Sequence, residues 1–286
     1  MKRLLRAAVL FAPLLLTVPV QAEPAGRVPA VPAPAINLAV APISRTDLPW
    51  WRERFDRSLE RTQQGHVDLI WLGDSITQNW ELAGPEPFAN YRPVWNRFYG
   101  DRAAVNMGFR GDTTANVIWR LEHGEVAGLN PKALVLLIGA NNFGRVHWDA
   151  EKSLAGIDSI IHILRHKLPN TRILLLGVLP SERSPWITEN TDTLNGLLAT
   201  EYRNRPYVTF MNVGRLFYRG GQLNRGLYLD PHEALLARHE AGLTTATVSS
   251  VALHPDAQGM ALIAEAIEPA LHRLMNDRDH LRAPAG

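Results

Sequence analysis

Along this chain, short runs of apolar and β-branched residues alternate with longer segments whose apolar positions return every three or four residues. The short runs, 67–72, 103–107, 133–138, 172–179 and 207–212, predict strands; the longer ones, 47–63, 114–123, 152–168, 191–203 and 257–275, predict helices. Within 152–168, Leu154, Ile157, Ile161, Leu164 and Leu168 share one stripe, with His162 and His166 opposite. Continuous apolar strands separated by helices predict a parallel five-stranded sheet covered on both faces, a doubly wound α/β domain. No internal repeat or second domain interrupts the pattern.

Before residue 46 the pattern is absent. Lys2, Arg3 and Arg6 precede an apolar stretch over 7–20 and a small-residue site at Val20-Gln21-Ala22, so residues 1–22 read as a cleaved export signal. Broken by Pro13 and Pro19, that stretch falls short of the roughly 20 residues a spanning helix needs, and no stable membrane anchor is expected after cleavage. Pro24, Pro29, Pro32 and Pro34 predict an extended linker over 23–45, leaving one domain over 46–286. The expected location is periplasmic or secreted.

Composition narrows the chemistry. The chain has no cysteine, which excludes disulfides, thiolate metal sites and a cysteine nucleophile. A net charge of +2 from scattered basic residues gives no footprint for nucleic acid. His162 and His166 have chelate spacing but no third ligand beside them, which favours a solvated helix face. Neither metal nor cofactor is expected.

Candidate reactive residues cluster where the first three predicted strands end. Gly73-Asp74-Ser75 follows the first run, placing Ser75 at the rim as a candidate nucleophile with Asp74 in support. The second exit carries Gly108 within 106–114, and the third carries Gly139-Ala140-Asn141-Asn142. Backbone N–H groups of Ser75 and Gly108 and the side-chain amide of Asn141 could meet a developing oxyanion, with Gly108 and Gly139 allowing close backbone approach. Each segment is also an ordinary turn or helix start; three together are the signal. His254, before Pro255 and the last helix, is the candidate general base.

These residues, Gly73-Asp74-Ser75, Gly108, Asn141 and His254, resemble in order the four sequence blocks of the SGNH (GDSL) hydrolases. Asn106-Met107-Gly108, Gly111-Asp112-Thr113-Thr114, Trp119-Arg120-Leu121, Gly124-Glu125, Asn130-Pro131-Lys132, Gly139-Ala140-Asn141-Asn142 and Gly177-Val178-Leu179-Pro180 are similar to the platelet-activating-factor acetylhydrolase catalytic-subunit branch. The resemblance implies a flavodoxin-like sheet and metal-free ester hydrolysis. Ser75 would attack, His254 would serve as its base, and Ser75, Gly108 and Asn141 would bind the oxyanion. A homodimer is compatible with that branch.

One position departs from the family pattern. Val251 stands where an acid normally precedes the histidine, and losing such a carboxylate costs a serine protease about 10⁴ in turnover. Asp230 is the first substitute, Asp256 a second with an alternative as helix cap, and a backbone carbonyl a third. The expectation is an exported serine esterase cleaving short, acetyl-type esters of a small molecule or polysaccharide. An acyltransferase to a glycan, or a carbohydrate- or lipid-binding module with a decayed triad, are the alternatives. Phe109 and Arg110 could line the leaving-group side, with a solvated Arg110 as the alternative; Phe143, Arg145, His147 and Trp148 could wall the acyl pocket, and Trp186 could form a lid or sugar platform or simply pack, none of them belonging to the catalytic set.

Overall fold

The computed structural model describes residues 36–63, 65–232 and 251–281, so the expected export signal lies outside the described residues. Five parallel strands, β1 (Leu69–Gly73), β2 (Ala104–Gly108), β3 (Ala133–Leu137), β4 (Arg172–Leu176) and β5 (Val208–Met211), form a sheet in the order β2-β1-β3-β4-β5. This is the doubly wound, flavodoxin-like arrangement, and its direction reverses at β1.

Alternate residues of each strand feed opposite faces, and both faces are apolar. Ile70, Leu72, Leu134 and Leu136 meet Val117 and Leu121 of α4 (Thr114–Glu122), Ile157 and Ile161 of α6 (Ala150–Lys167), and Leu194 and Leu198 of α7 (Pro185–Glu201). Leu69, Trp71, Val135 and Leu137 meet Phe98 and Tyr99 of α3 (Arg92–Tyr99) and Ile263 and Ile267 of α8 (Ala257–Met275). On α1 (Pro49–Gln63), Trp51 and Phe55 form a third cluster with Phe109. His162 and His166 are exposed on α6, and no metal-holding cluster occurs among the described residues.

Packing begins earlier than the proline pattern indicates. Residues 37–45, inside the expected linker, already dock on the sheet's helices: Ile43 N–H donates to the Ala115 carbonyl, Thr114 Oγ1 to Ala39 and Asn116 Nδ2 to Ile43. Pro24, Pro29, Pro32 and Pro34 all lie before residue 36, and the apolar Leu38, Ala39 and Ile43 follow them.

Register explains how the site assembles. Gly73 pairs with Gly108 on one side and Leu137 on the other, so the first three strands end level. Everything that follows them emerges along one edge.

Candidate active site

Ser75 opens α2 (Ser75–Gln78), a single turn capped by Asp74, whose Oδ1 accepts from Ile76 N–H at 3.0 Å. The sharp exit from β1 holds the serine at the sheet edge, 6 % exposed. Its Oγ lies 2.9 Å from Nε2 of His254. On the other side of the ring, Nδ1–H donates to Asp230 Oδ1 at 2.7 Å. That contact fixes the tautomer, leaving Nε2 free to accept the serine proton.

The acid arrives by backbone pairing. Leu229 N–H donates to the His254 carbonyl, Asp256 N–H donates to Leu227, and Tyr228 bridges Pro255, which brings residue 230 beside the imidazole. Asp230 Oδ2 accepts two further bonds, from Leu253 N–H at 2.9 Å and His254 N–H at 2.7 Å. Tyr91 Oη holds the Pro255 carbonyl at 2.8 Å and Tyr228 Oη holds Pro180 at 2.8 Å, anchoring the loop to the core. Burial pushes the Asp230 carboxyl up, but the His254 bond and charge and the two backbone donors outweigh it, leaving it below the ordinary range. Val251 is 37 % exposed and Asp256 caps α8 through Gly259 N–H at 2.7 Å. Neither is the partner of His254 Nδ1, and the reason for suspecting a decayed triad falls away.

Burial, the largest influence, raises Asp74 from the ordinary carboxylate range to about 6, against the Ile76 N–H and the His254 charge. Asn141, second residue of α5 (Ala140–Gly144), donates through Nδ2 to the Asp112 carbonyl at 3.0 Å and more weakly to Asp74 Oδ2 at 3.3 Å. Asn142 turns away and caps α4, accepting from Thr114 N–H at 3.0 Å.

Gly108 does not hold the expected place. Its N–H donates to Asn106 Oδ1 at 2.8 Å, and a Cβ there would lie 2.2 Å from Gln78 N. The glycine is needed because α2 packs on it. Gly139 is likewise pressed by Val178, not opened to a ligand. Gly111, three residues on in the segment that reads as a helix start, takes that place instead. Its φ of +78° turns the chain, its N–H has no partner among the described residues, and Asn141 holds the adjoining Asp112 carbonyl. The signal the sequence carries is a glycine two residues before the helix cap Thr113, a position that suits a left-handed turn.

Beneath the loop lies a buried charge network. Arg120 donates to Asp112 Oδ2 at 3.0 Å, to Glu125, and to the Gly73 carbonyl at 3.3 Å; Trp51 and Arg45 reach Asp112 Oδ1 at 2.7 and 3.1 Å. Phe109 is wholly buried against Trp51 and does not line the rim. Arg110 is anchored through its N–H to Gln78 Oε1 at 2.7 Å. Phe143, His147 and Trp186 form an aromatic group, with Trp186 38 % exposed. Arg183 donates to the Ala140 carbonyl at 3.0 Å and to Ser181 Oγ at 3.1 Å.

Comparison with known proteins agrees with this architecture. Platelet-activating factor acetylhydrolase IB subunit alpha2 of Gallus gallus is 27 % identical over 164 residues, 57 % of this chain. The match takes in 66 % of that relative, just under two thirds of its length. A GDSL-like lipase from Bacteroides thetaiotaomicron superposes with a TM-score of 0.56 at 17 % identity, covering 77 % of this chain and 97 % of that one. A carbohydrate esterase family 3 structure from Talaromyces cellulolyticus gives 0.51 at 15 %, covering 74 % and 99 %. Both structural likenesses concern the fold. Residues 71–262 match the model of the GDSL-like lipase/acylhydrolase family, and the chain belongs to that family.

Proposed function

We propose that the protein is an exported, metal-free serine esterase that hydrolyses short acyl esters, acetyl above all, of a small molecule or a polysaccharide. The observation that carries this is the unbroken relay Ser75 Oγ, His254 Nε2, His254 Nδ1, Asp230 Oδ1, at 2.9 and 2.7 Å. Ser75 Oγ attacks the ester carbonyl while Nε2 takes its proton, and ionised Asp230 stabilises the imidazolium. The oxyanion is received by the N–H groups of Ser75 and Gly111 and by Asn141 Nδ2, which gives up its weak 3.3 Å bond to Asp74. The imidazolium returns the proton to the departing alcohol. Water then attacks the acyl-serine through the same base, and the acid leaves.

The acetyl preference is supported by the acetylhydrolase relatives, and export by the pattern of residues 1–22. Transfer to a glycan hydroxyl would use the same acyl-serine, and product analysis with an acceptor glycan separates the two. Mature protein is expected to cleave 4-nitrophenyl acetate faster than the butyrate, and Ser75→Ala to lose at least about 10³ of that rate. Equal rates for the two proteins overturn the proposal.

A further inference from the structure

Beside Gly111 opens a groove of about 470 Å³ that the reaction steps leave unused. Its walls combine two arginines, Arg45 and Arg145, with the partly exposed apolar side chains of Leu38, Ile43 and Val146. Both guanidinium groups press on Gly111: a Cβ there would lie 2.5 Å from Arg145 Nη1 and 3.1 Å from Arg45 Nη1. The groove therefore shares a wall with the place assigned to the oxyanion.

The two arginines are not equivalent. Arg45 Nη1 is committed to the Arg110 carbonyl at 2.7 Å and to Asp112 Oδ1 at 3.1 Å, so a buried carboxylate offsets its charge. Arg145 is exposed and has no carboxylate partner among the described residues. A planar cation with its donors unspent, next to the reacting carbonyl and flanked by apolar wall, suits a carboxylate or phosphate attached to a carbon skeleton.

We propose that this groove receives the alcohol portion of an anionic ester, its carboxylate or phosphate paired with Arg145 and its carbon skeleton resting on Leu38, Ile43 and Val146. The assignment to the alcohol rests on the short-acyl hydrolase reading, because an acetyl group is too small to reach past Gly111. Arg145 is then the residue that selects charged over neutral substrates, and the selection is expressed mainly in KM. Residues 37–45, packed on the domain, contribute Leu38 and Ile43, two of these three apolar side chains.

Two matched pairs of acetyl esters test this: phenyl acetate against 4-acetoxybenzoate, whose carboxylate cannot reach its own ester, and 1-acetylglycerol against its 3-phosphate. With kcat/KM normalised to spontaneous hydrolysis, at least one charged ester is expected to be preferred by about tenfold or more, the scale of one charge-assisted hydrogen bond. Whichever pair shows it identifies the anion. Arg145→Gln is expected to bring the ratio close to one, Arg145→Lys to restore part of it, and added salt to lower it. A ratio taken within one preparation cancels any difference in folded fraction. A ratio near one in the wild type, or a preference that survives Arg145→Gln, overturns the groove while leaving the hydrolase reading intact. No Ser75-dependent turnover of any of the four esters overturns both.

Discussion

Asp230 reaches His254 across a separation of 24 residues, and that distance shows what a linear motif leaves out. The acid could be nominated from the sequence only as one of three acceptors, because its contact is made by backbone pairing between 227–229 and 254–256. Gly108 and Gly111 present the same limitation: choosing between them requires knowing which N–H is already spent, a property of φ and of Asn106. Replacing Asp230→Asn keeps the shape but removes the charge that orients and stabilises the imidazolium. A fall in kcat of about 10³–10⁴ with little change in KM is expected from steady-state assays. Asp74 makes a separate prediction. Its carboxyl is raised from 3.8 to about 6, so the folded state holds a proton that the unfolded chain has released, and stability from this group falls as pH rises across that window. Asp74→Asn retains an acceptor for Ile76 N–H and carries no ionisation cost. Denaturant titrations should therefore show it gaining on the wild type between pH 4 and pH 7, by roughly 2 kcal/mol.

Elements with a sustained period were legible and short ones were not. The helix over 257–275 matches α8 residue for residue, because its apolar stripe runs several turns. Helices α2 and α5, with four and five residues, contain too little sequence for a 3.6-residue period to emerge, yet they carry Ser75 and Asn141. Helix α3, eight residues long, is too short for a sustained apolar stripe, and Pro93 in its first turn is the start signal its sequence carries. The branch motifs around Arg120 and Glu125 turn out to support the site from below. Arg120 is fully buried between Asp112 and Glu125 and reaches the end of β1 through the Gly73 carbonyl. Its removal strands two carboxylates in the interior, so Arg120→Met should cost about 3–5 kcal/mol in chemical denaturation. Burial already holds the Asp112 and Glu125 carboxyls above their ordinary range in spite of that cation.

At the scale of the described domain, the two-faced sheet was the most readable feature. Strands whose alternate residues are both apolar have no solvent side, and only helices on each face can bury them. What such reasoning could not supply is which parts of the edge are firm. Ser75 and Asn141 follow the inner strands β1 and β3, and Gly111 follows β2, paired along its whole length with β1, whereas His254 and Asp230 sit on a pair of peripheral segments joined by a few backbone bonds. The level ending of β1, β2 and β3 thus divides the site into a hard half and a soft half. On warming, the segments holding His254 and Asp230 should open while the sheet still presents Ser75, Gly111 and Asn141. Native-state hydrogen exchange will register this as earlier exchange at the amides of Leu229 and Asp256 than at Leu72. The thermal limit of activity is then set at the rim, several degrees before the core gives way.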